Sequence, residues 1–337
     1  MSDMLRGLCR GTLYRIKKIL KTSSFGQQLL YDVRSTESFT QFYNHERMLA
    51  DSIRMNFYYN GIKRNIMPGD IIVDLGTGTG ILSFLAAQQK PEKIYAIDQS
   101  DFINVARSIA EYNNIKDIVF IKTNSRNFNS NEKVDVILHE QIGHGLFDEN
   151  MVANILDLKK RLLKENGKIL PGKFELFIEP VCLKREYKVP FIWENNIYGI
   201  DFQFLKNIGK LGRYESAGYL QQFIDPFVVD YFLCEPESCM SFDLNELNDE
   251  KDIPKIIETS KRVIQPGSMD GLCIYFRAGF DEEVTMDTSP LHTRTHWMNI
   301  LFRTGSKHYN VGEAVSFRFS IGVPYDRETW SFEIYSK

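Results

Sequence analysis

Little in this chain of 337 residues is extreme, and several absences narrow what it can be. No run approaches the ~20 consecutive apolar residues of a membrane-spanning helix, so no transmembrane segment is expected. Lys and Arg (41) nearly balance Asp and Glu (44), and a net charge of −3 supplies no global field toward nucleic acid or an anionic membrane. Cysteines are few and odd in number: Cys9, Cys182, Cys234, Cys239 and Cys273. Cys234 and Cys239 have no second pair to complete a zinc site, so free thiols in a reducing, cytoplasmic compartment are the plain reading and no metal is expected. There is no G-x-x-x-x-G-K-[ST] loop to cradle a triphosphate, no Asn-Pro-Pro-Tyr-type base clamp, no internal repeat and no low-complexity tract. Residues 4–21, "MLRGLCRGTLYRIKKILK", are basic and loosely amphipathic but lack the apolar core of a signal peptide. They fit a helix with a solvated basic face better than a transit peptide or a membrane-surface helix.

What is present alternates. Apolar runs at 70–75, 93–98, 117–123 and 134–140 read as strands, and 81–89, 102–114 and 150–166 as helices, the last with Gly167 as its stop. Repeated βα units predict an α/β fold with a parallel, doubly wound sheet. After residue 173 the texture changes to short β-like runs ("FELFIEPVCL", "GLCIYFRAGF", "AVSFRFSIGV", "WSFEIYS"), which predict an antiparallel domain. Between them, residues 191–220 are aromatic-rich. They predict either a partly helical arm that buries itself in another subunit or a satellite core cluster of this domain.

"VDLGTGTGIL" (73–82) lies where the first strand turns into the first helix. Gly76, Gly78 and Gly80 let backbone approach a ligand closely at the positive end of a helix. Asp98 ends the second strand, 18 residues past Gly80, where a carboxylate accepts from both ribose hydroxyls. The alternative is an ordinary strand-end acid. The dinucleotide fingerprint needs its third glycine one residue later, and Asp74 beside the loop would oppose a pyrophosphate. A carboxylate there suits a ligand with an ammonium and a sulfonium. The set fits S-adenosyl-L-methionine, hence a class I methyltransferase, better than a dehydrogenase cofactor.

The stretch "HEQIGHGLFDENM" (139–151) puts Glu140 and Glu149 on either side of a segment softened by Gly143 and Gly145. Two such anions repel unless a cation lies between them; two glutamates in a loop are otherwise only surface charges. A guanidinium, planar and permanently charged, fits two carboxylates bidentately. This stretch resembles the double-glutamate loop of the protein arginine methyltransferases, with the second glutamate nine positions after the first. "ESFTQFYNHERMLADSIR" (37–54) resembles that family's N-terminal helical segment, "FIWENNIYGIDF" (191–202) the start of its dimerisation arm, and "RTHWMNILF" (294–302) its Thr-His-Trp loop.

The resemblance covers residues 30–335 and implies a Rossmann-like domain binding S-adenosyl-L-methionine (31–172, with N-terminal helices, after a basic segment 1–30). An antiparallel β-barrel-like substrate domain (173–337) with a helical dimerisation arm (191–220) would follow, giving a homodimer that methylates arginine in a peptide or protein. It implies that Glu140 and Glu149 hold the guanidinium, that His296 oriented by Asp51 takes the proton, and that Arg54, His45 and Ser125 serve the cofactor. Met48, Met151, Trp297 and Phe39 would line the substrate pocket. Each residue also has a structural reading: an Asp51–Arg54 helical ion pair, a satisfied structural His296, core methionines. Departures stand at Ser35 and Phe39 for two tyrosines, which Tyr31 or Tyr43 would have to replace. Gln141 and His144 replace aromatics, and Arg126 stands where a glutamate receives the adenine amino group, a role left to Asn124, Asn127 or Ser125. These departures keep two other functions open: methylation of a small guanidino metabolite such as free arginine, and a non-catalytic partner of another methyltransferase.

Overall fold

The computed structural model describes residue 26 and residues 41–207 and 219–335. Phe39, Ser35, Tyr31 and the basic segment 4–21 lie outside the described residues.

Two helices come first, α1 (Phe42–Ala50) and α2 (Ser52–Asn65), separated by Asp51. Asp51 leaves the helical region (φ −74°, ψ 95°), and its side chain accepts from the Arg54 backbone N–H, capping α2. The parallel sheet follows: β1 (Ile71–Leu75), α3 (Ile81–Ala87), β2 (Lys93–Asp98), α4 (Phe102–Tyr112), β3 (Ile118–Lys122), β4 (Val134–His139), α5 (Met151–Leu162) and β5 (Leu163–Leu170). Its strands lie in the order β3-β2-β1-β4-β5, all parallel. Every residue of β1 is buried, as a central strand covered on both faces requires. The order reverses between β1 and β4, and such a switch point opens a crevice at the carboxyl ends of the two strands. The glycine loop leaves one of those ends and Glu140 the other.

The helix expected over 150–166 is shorter. It stops at Leu162, and residues 163–166 begin β5, pairing Leu163 with Val134. Gly167 is not a helix stop: a Cβ there would lie 2.6 Å from the Leu163 side chain and 3.0 Å from the Asp135 carbonyl. Its small size lets β5 close onto β4.

The antiparallel part starts with β6 (Lys173–Leu183). It joins Val229–Phe232, Ser238–Asp243, Gly267–Gly279, Thr285–Asp287, Asn299–Tyr309 and Tyr219–Ile224 in a seven-stranded sheet. Ile256–Arg262, Ala314–Ser320 and Ser331–Tyr335 form a second, three-stranded sheet. Phe302 of the larger sheet meets Phe319 and Phe332 of the smaller edge-on, with ring centroids 5.4 and 5.6 Å apart. These contacts fill the space between the sheets, making a barrel-like sandwich whose described ladders do not close. The described part of the arm is helical only as 3₁₀ turns (Ile192–Glu194 and Gln203–Asn207) around a tight hairpin, with Tyr198 and Gly199 at positive φ. Ile192, Tyr198, Ile200 and Phe204 are exposed there, which is more apolar surface than one strand edge ordinarily leaves in water. Residues 219–220, expected to end the arm, belong to the larger sheet.

Candidate active site

The crevice at the switch point is an open cleft of about 1010 Å³ including its mouth, within the range of small-molecule sites. The glycine loop forms its floor. Gly76, Gly78 and Gly80 have φ of 73°, 51° and 86°. A Cβ on Gly80 would strike the Phe84 ring at 2.5 Å, and one on Gly78 would lie 3.0 Å from His45. Gly80 thus serves the turn into α3, while Gly76 and Gly78 face the cleft. His45 stacks on Phe102 (3.9 Å, 28°) and closes the cleft from α1, together with Met48 and Leu49.

The two strand-end acids part company. Asp98 borders the cleft and fixes the loop around it, accepting from Gly78 N at 2.9 Å and from the Ser100 N–H and hydroxyl at 2.7 Å each. Asp74 does not reach the cleft. It is fully buried beneath the loop, where one oxygen accepts from the Thr77 and Ser83 hydroxyls at 2.6 Å each and the other has no hydrogen-bond partner among the described residues. Burial raises its pKa to about 6 against the lowering effect of those hydroxyls. Ser125 opens a 3₁₀ turn (Ser125–Asn127) at the cleft wall, and Arg161 pins that turn by donating to the Ser125 carbonyl at 2.9 Å. Arg126 is not among the cleft-lining residues, whereas Asn124 is, held by its amide to Gln99 at 2.9 Å.

Glu140 and Glu149 both border the same cleft as Gly76 and Gly78. Arg54 does not pair with Asp51. Its guanidinium crosses to Glu140 at 3.0 Å, both side chains nearly buried, and it lies 5.4 Å from the centre of the Tyr58 ring. The Arg54 Nε is buried without an acceptor among the described residues. Burial, then the charges of Glu140 and Asp148, push the Glu149 carboxyl well above its ordinary range. The segment between them is packed into the core. Ile142, Gly143, Gly145, Leu146 and Phe147 are buried. A Cβ on Gly143 would meet Asp148 Cβ at 2.3 Å and one on Gly145 would meet Ile300 at 2.7 Å. Both glycines have ordinary φ; they are small so that the loop can fold on itself against the antiparallel sheet.

That sheet delivers the Thr-His-Trp loop over the double-glutamate loop. Trp297, buried, donates through Nε1 to the Ile142 carbonyl at 2.6 Å, and Met298 N donates to His144 Nδ1 at 2.9 Å. An imidazole nitrogen that accepts is unprotonated, and burial lowers the His144 pKa to about 3, so His144 is neutral. His296 Nδ1 lies 3.0 Å from Asp51 Oδ2, which also accepts from the His296 backbone N–H at 2.7 Å. Burial raises the Asp51 pKa, but the bonds from His296 and Arg54 outweigh it and leave the carboxyl below its ordinary value. Met151 is fully buried at the start of α5 and, like Trp297, is not among the cleft-lining residues. Gln141, by contrast, borders the cleft, held by the Asn154 amide at 3.2 Å.

The residues present suit S-adenosyl-L-methionine. Close-approach glycines, a strand-end Asp98, the Asn124–Ser125 turn and a buried arginine whose Nε has no acceptor among the described residues offer partners for its neutral and anionic groups. Glu140 and the acidic cleft suit its cations. Sequence reading missed Thr77 and Ser83, which hold Asp74; Asn154, which holds Gln141; and Arg47, whose guanidinium donates to the His296 carbonyl at 3.3 Å. Arg47 gave no signal, being one basic residue on a helix. The described cysteines, Cys182, Cys234, Cys239 and Cys273, are free thiols.

Two family models match. One, described as a methyltransferase domain, covers residues 66–208, and one described as an arginine methyltransferase oligomerization subdomain covers residues 173–328. Protein arginine N-methyltransferase 6 of Danio rerio is 30% identical over 279 residues, 78% of this chain and 78% of that protein. Histone-arginine methyltransferase CARMER of Drosophila persimilis is 30% identical over 316 residues, 89% of this chain but only 57% of the relative. Among solved structures, the Trypanosoma brucei PRMT1 enzyme-prozyme heterotetrameric complex with AdoHcy superposes with a TM-score of 0.73 at 27% identity, over 84% of this chain and 89% of that one. PRMT6-SAH shares the fold, with a TM-score of 0.68 at 19% identity over 88% of this chain and all of that one. No described helix is long and apolar enough to cross a membrane.

Proposed function

Since the chain belongs to the protein arginine N-methyltransferase family, we propose that it transfers methyl from S-adenosyl-L-methionine to an arginine guanidinium held between Glu140 and Glu149. The family supports the coarser part, arginine methylation of proteins with this cofactor. One observation carries the finer part: Glu140 and Glu149 share a cleft with the ligand-facing glycines Gly76 and Gly78.

S-adenosyl-L-methionine supplies an electrophilic methyl on a sulfonium. The residues of the chain supply position and charge. Asp98, Ser125, His45, Gly76 and Gly78 hold the adenosine side of the cleft, while Asp74 and Gly80 act indirectly by shaping the loop. Arg54 takes the cofactor carboxylate and keeps one side of Glu140 charged. The two glutamates are unequal: Glu140 already shares its charge with Arg54, whereas Glu149 is buried with repelling neighbours and gains most from a cation. Positive charge in the bound guanidinium is drawn toward Glu149, which leaves the nitrogen nearer Glu140 more nucleophilic. Fixing that nitrogen in line with the methyl supplies much of the rate. Asp51 holds the proton of His296 on Nδ1, so Nε2 is free to accept the proton released, directly or through water. Met48 stands beside the reacting nitrogen, Met151 and Trp297 support the pocket from behind, and Phe39, outside the described residues, keeps its assignment to the substrate pocket.

The same reading divides the chain at 172/173, makes the exposed arm a homodimer contact, and places the protein in the cytoplasm. Mass spectrometry of peptides after incubation with the cofactor, with fragmentation that locates the methyl, tests it. Methylarginine is expected; methyl on lysine, histidine or carbon refutes it. Glu140→Gln and Glu149→Gln should each lower kcat/KM by about 100-fold or more, the scale of one lost oriented charge contact. Near-normal turnover in both refutes the double-carboxylate grip.

A further inference from the structure

Three arginines belong to or touch the Thr-His-Trp and double-glutamate loops: Arg294, Arg327 and Arg47. Two are neutralised: Arg327 Nε lies 3.1 Å from Asp148, and Arg294 Nη2 lies 2.6 Å from Asp225. Arg47 is not. It is half-buried on α1, between His45 and Met48, which line the cleft. Its guanidinium reaches the carbonyl of His296, a contact spanning 249 positions of sequence, and has no carboxylate in ion-pair range among the described residues. Its chain neighbour Glu46 is exposed and lies about 100° away around the helix, so it does not face the same way. Bonding to a carbonyl leaves a full charge on Arg47 while fixing its head beside the Thr-His-Trp loop. That loop is tied to the double-glutamate loop through Trp297 and His144. Burial is the main cause of the lowered His144 pKa, and the charges of Arg327 and Arg47 add to it, so both guanidiniums lie near that imidazole. An acidic interior therefore sits behind a rim whose Arg47 charge no described carboxylate compensates.

We propose that Arg47 is a specificity residue that selects arginines flanked by an anionic side chain, a carboxylate or a phosphate, in the substrate peptide. This rests on the reading of Glu140 and Glu149 as the guanidinium site. The target arginine satisfies the inner carboxylates, and its neighbour satisfies Arg47, so a zwitterionic pair fits the gradient better than a run of basic residues. Both sources of negative charge would use the same guanidinium; they differ in net charge and hence in strength.

The test uses four peptides identical but for one residue beside the arginine: aspartate, phosphoserine, glycine or lysine. In the intact chain, kcat/KM should fall in the order phosphoserine, aspartate, glycine, lysine, by roughly fivefold per unit charge, the size of a partly screened pair. Higher salt should narrow the spread. Arg47→Glu should reverse the order. A spread within about twofold in the intact chain, or an unchanged order in Arg47→Glu, overturns the inference. If aspartate and glycine rank together and phosphoserine alone is favoured, phosphate is the source of charge and the inference holds. If no peptide is methylated, the peptide-arginine reading is at fault. Calorimetric affinities of the same peptides with S-adenosylhomocysteine present then decide the role of Arg47. Tighter binding of the anionic peptides, lost in Arg47→Glu, supports it, and equal or absent binding overturns it.

Discussion

Asp51 gives its two oxygens to two tasks, and substitution can separate them. Oδ1 accepts from Arg54 N at 3.0 Å and caps α2; Oδ2 accepts from the His296 backbone at 2.7 Å and from its ring at 3.0 Å. Asp51→Ala removes both. A lost cap costs about 1 kcal/mol, and loss of the charged acceptor from His296 costs about 1.5–3 kcal/mol. Asp51→Ala should therefore lower unfolding free energy by about 3 kcal/mol. Asp51→Ser keeps an oxygen able to cap but too short to reach His296, so it should cost about 2 kcal/mol. Urea denaturation followed by tryptophan fluorescence reads this difference as a shift in midpoint at constant slope.

Activity should not follow stability. Both variants lose the carboxylate that sets the His296 tautomer, and both should fall in kcat/KM by about 10²-fold or more, the scale of a lost general base. Adding His296→Gln to Asp51→Ser should then cost little more, because the two residues act as one unit. The Asp51 carboxyl is held below its ordinary 3.8, so it stays ionised in assays above that value. If Asp51→Ser keeps kcat/KM within about threefold while His296→Gln is impaired, or if the two losses multiply in full, His296 does not depend on Asp51 and the assignment fails.

Glu149 makes a pH-dependent prediction. Its carboxyl is raised above 4.5, first by burial and then by Glu140 and Asp148, and a bound guanidinium should bring it down. Peptide affinity should rise with pH above 4.5, and calorimetry in two buffers of different ionisation enthalpy should register proton release on binding. Glu149→Gln should abolish that release; its persistence would assign the proton to another group. A second prediction concerns the buried Lys261–Glu179 pair inside the antiparallel part, where one Glu179 oxygen has no partner among the described residues. Burial holds Glu179 at about 7, so the folded state keeps its proton longer than the unfolded chain, and this group's contribution to stability falls as pH rises from 4.5 through 7. Lys261→Met should cost about 3–5 kcal/mol in alkaline buffer and less at pH 5, while Lys261→Met with Glu179→Leu should recover most of the loss. A pH-independent cost in denaturant titrations would refute this.

Much of the active site was legible because its chemistry depends on residue type. β1, β2 and β4 are short, mostly apolar runs, as strands of a sheet covered on both faces are, and the glycines between β1 and α3 have few other reasons to cluster. The end of α5 was not legible. "LLKEN" has good helix formers, and only pairing with β4 makes Leu163 extended. Nor was the packing of the double-glutamate loop: glycine reads as freedom in a sequence, yet at Gly143 and Gly145 Asp148 and Ile300 leave no room for a methyl.

By itself, then, the sequence determined the inventory: two carboxylates nine positions apart, a glycine loop at a strand end, a histidine in a Thr-His-Trp segment. Tertiary structure decided their assignments. Asp74 and Asp98 are both acids at strand ends, but Asp74 turns under the loop to Thr77 and Ser83 while Asp98 faces the cleft. Arg54 could have paired with Asp51 three residues away, but Asp51 is spent on the helix cap and His296, and the guanidinium goes to Glu140, 86 positions on. The reason is geometric. Local spacing fixes which groups are near along one element, whereas a buried charge is satisfied by whatever the packing of several elements brings within reach.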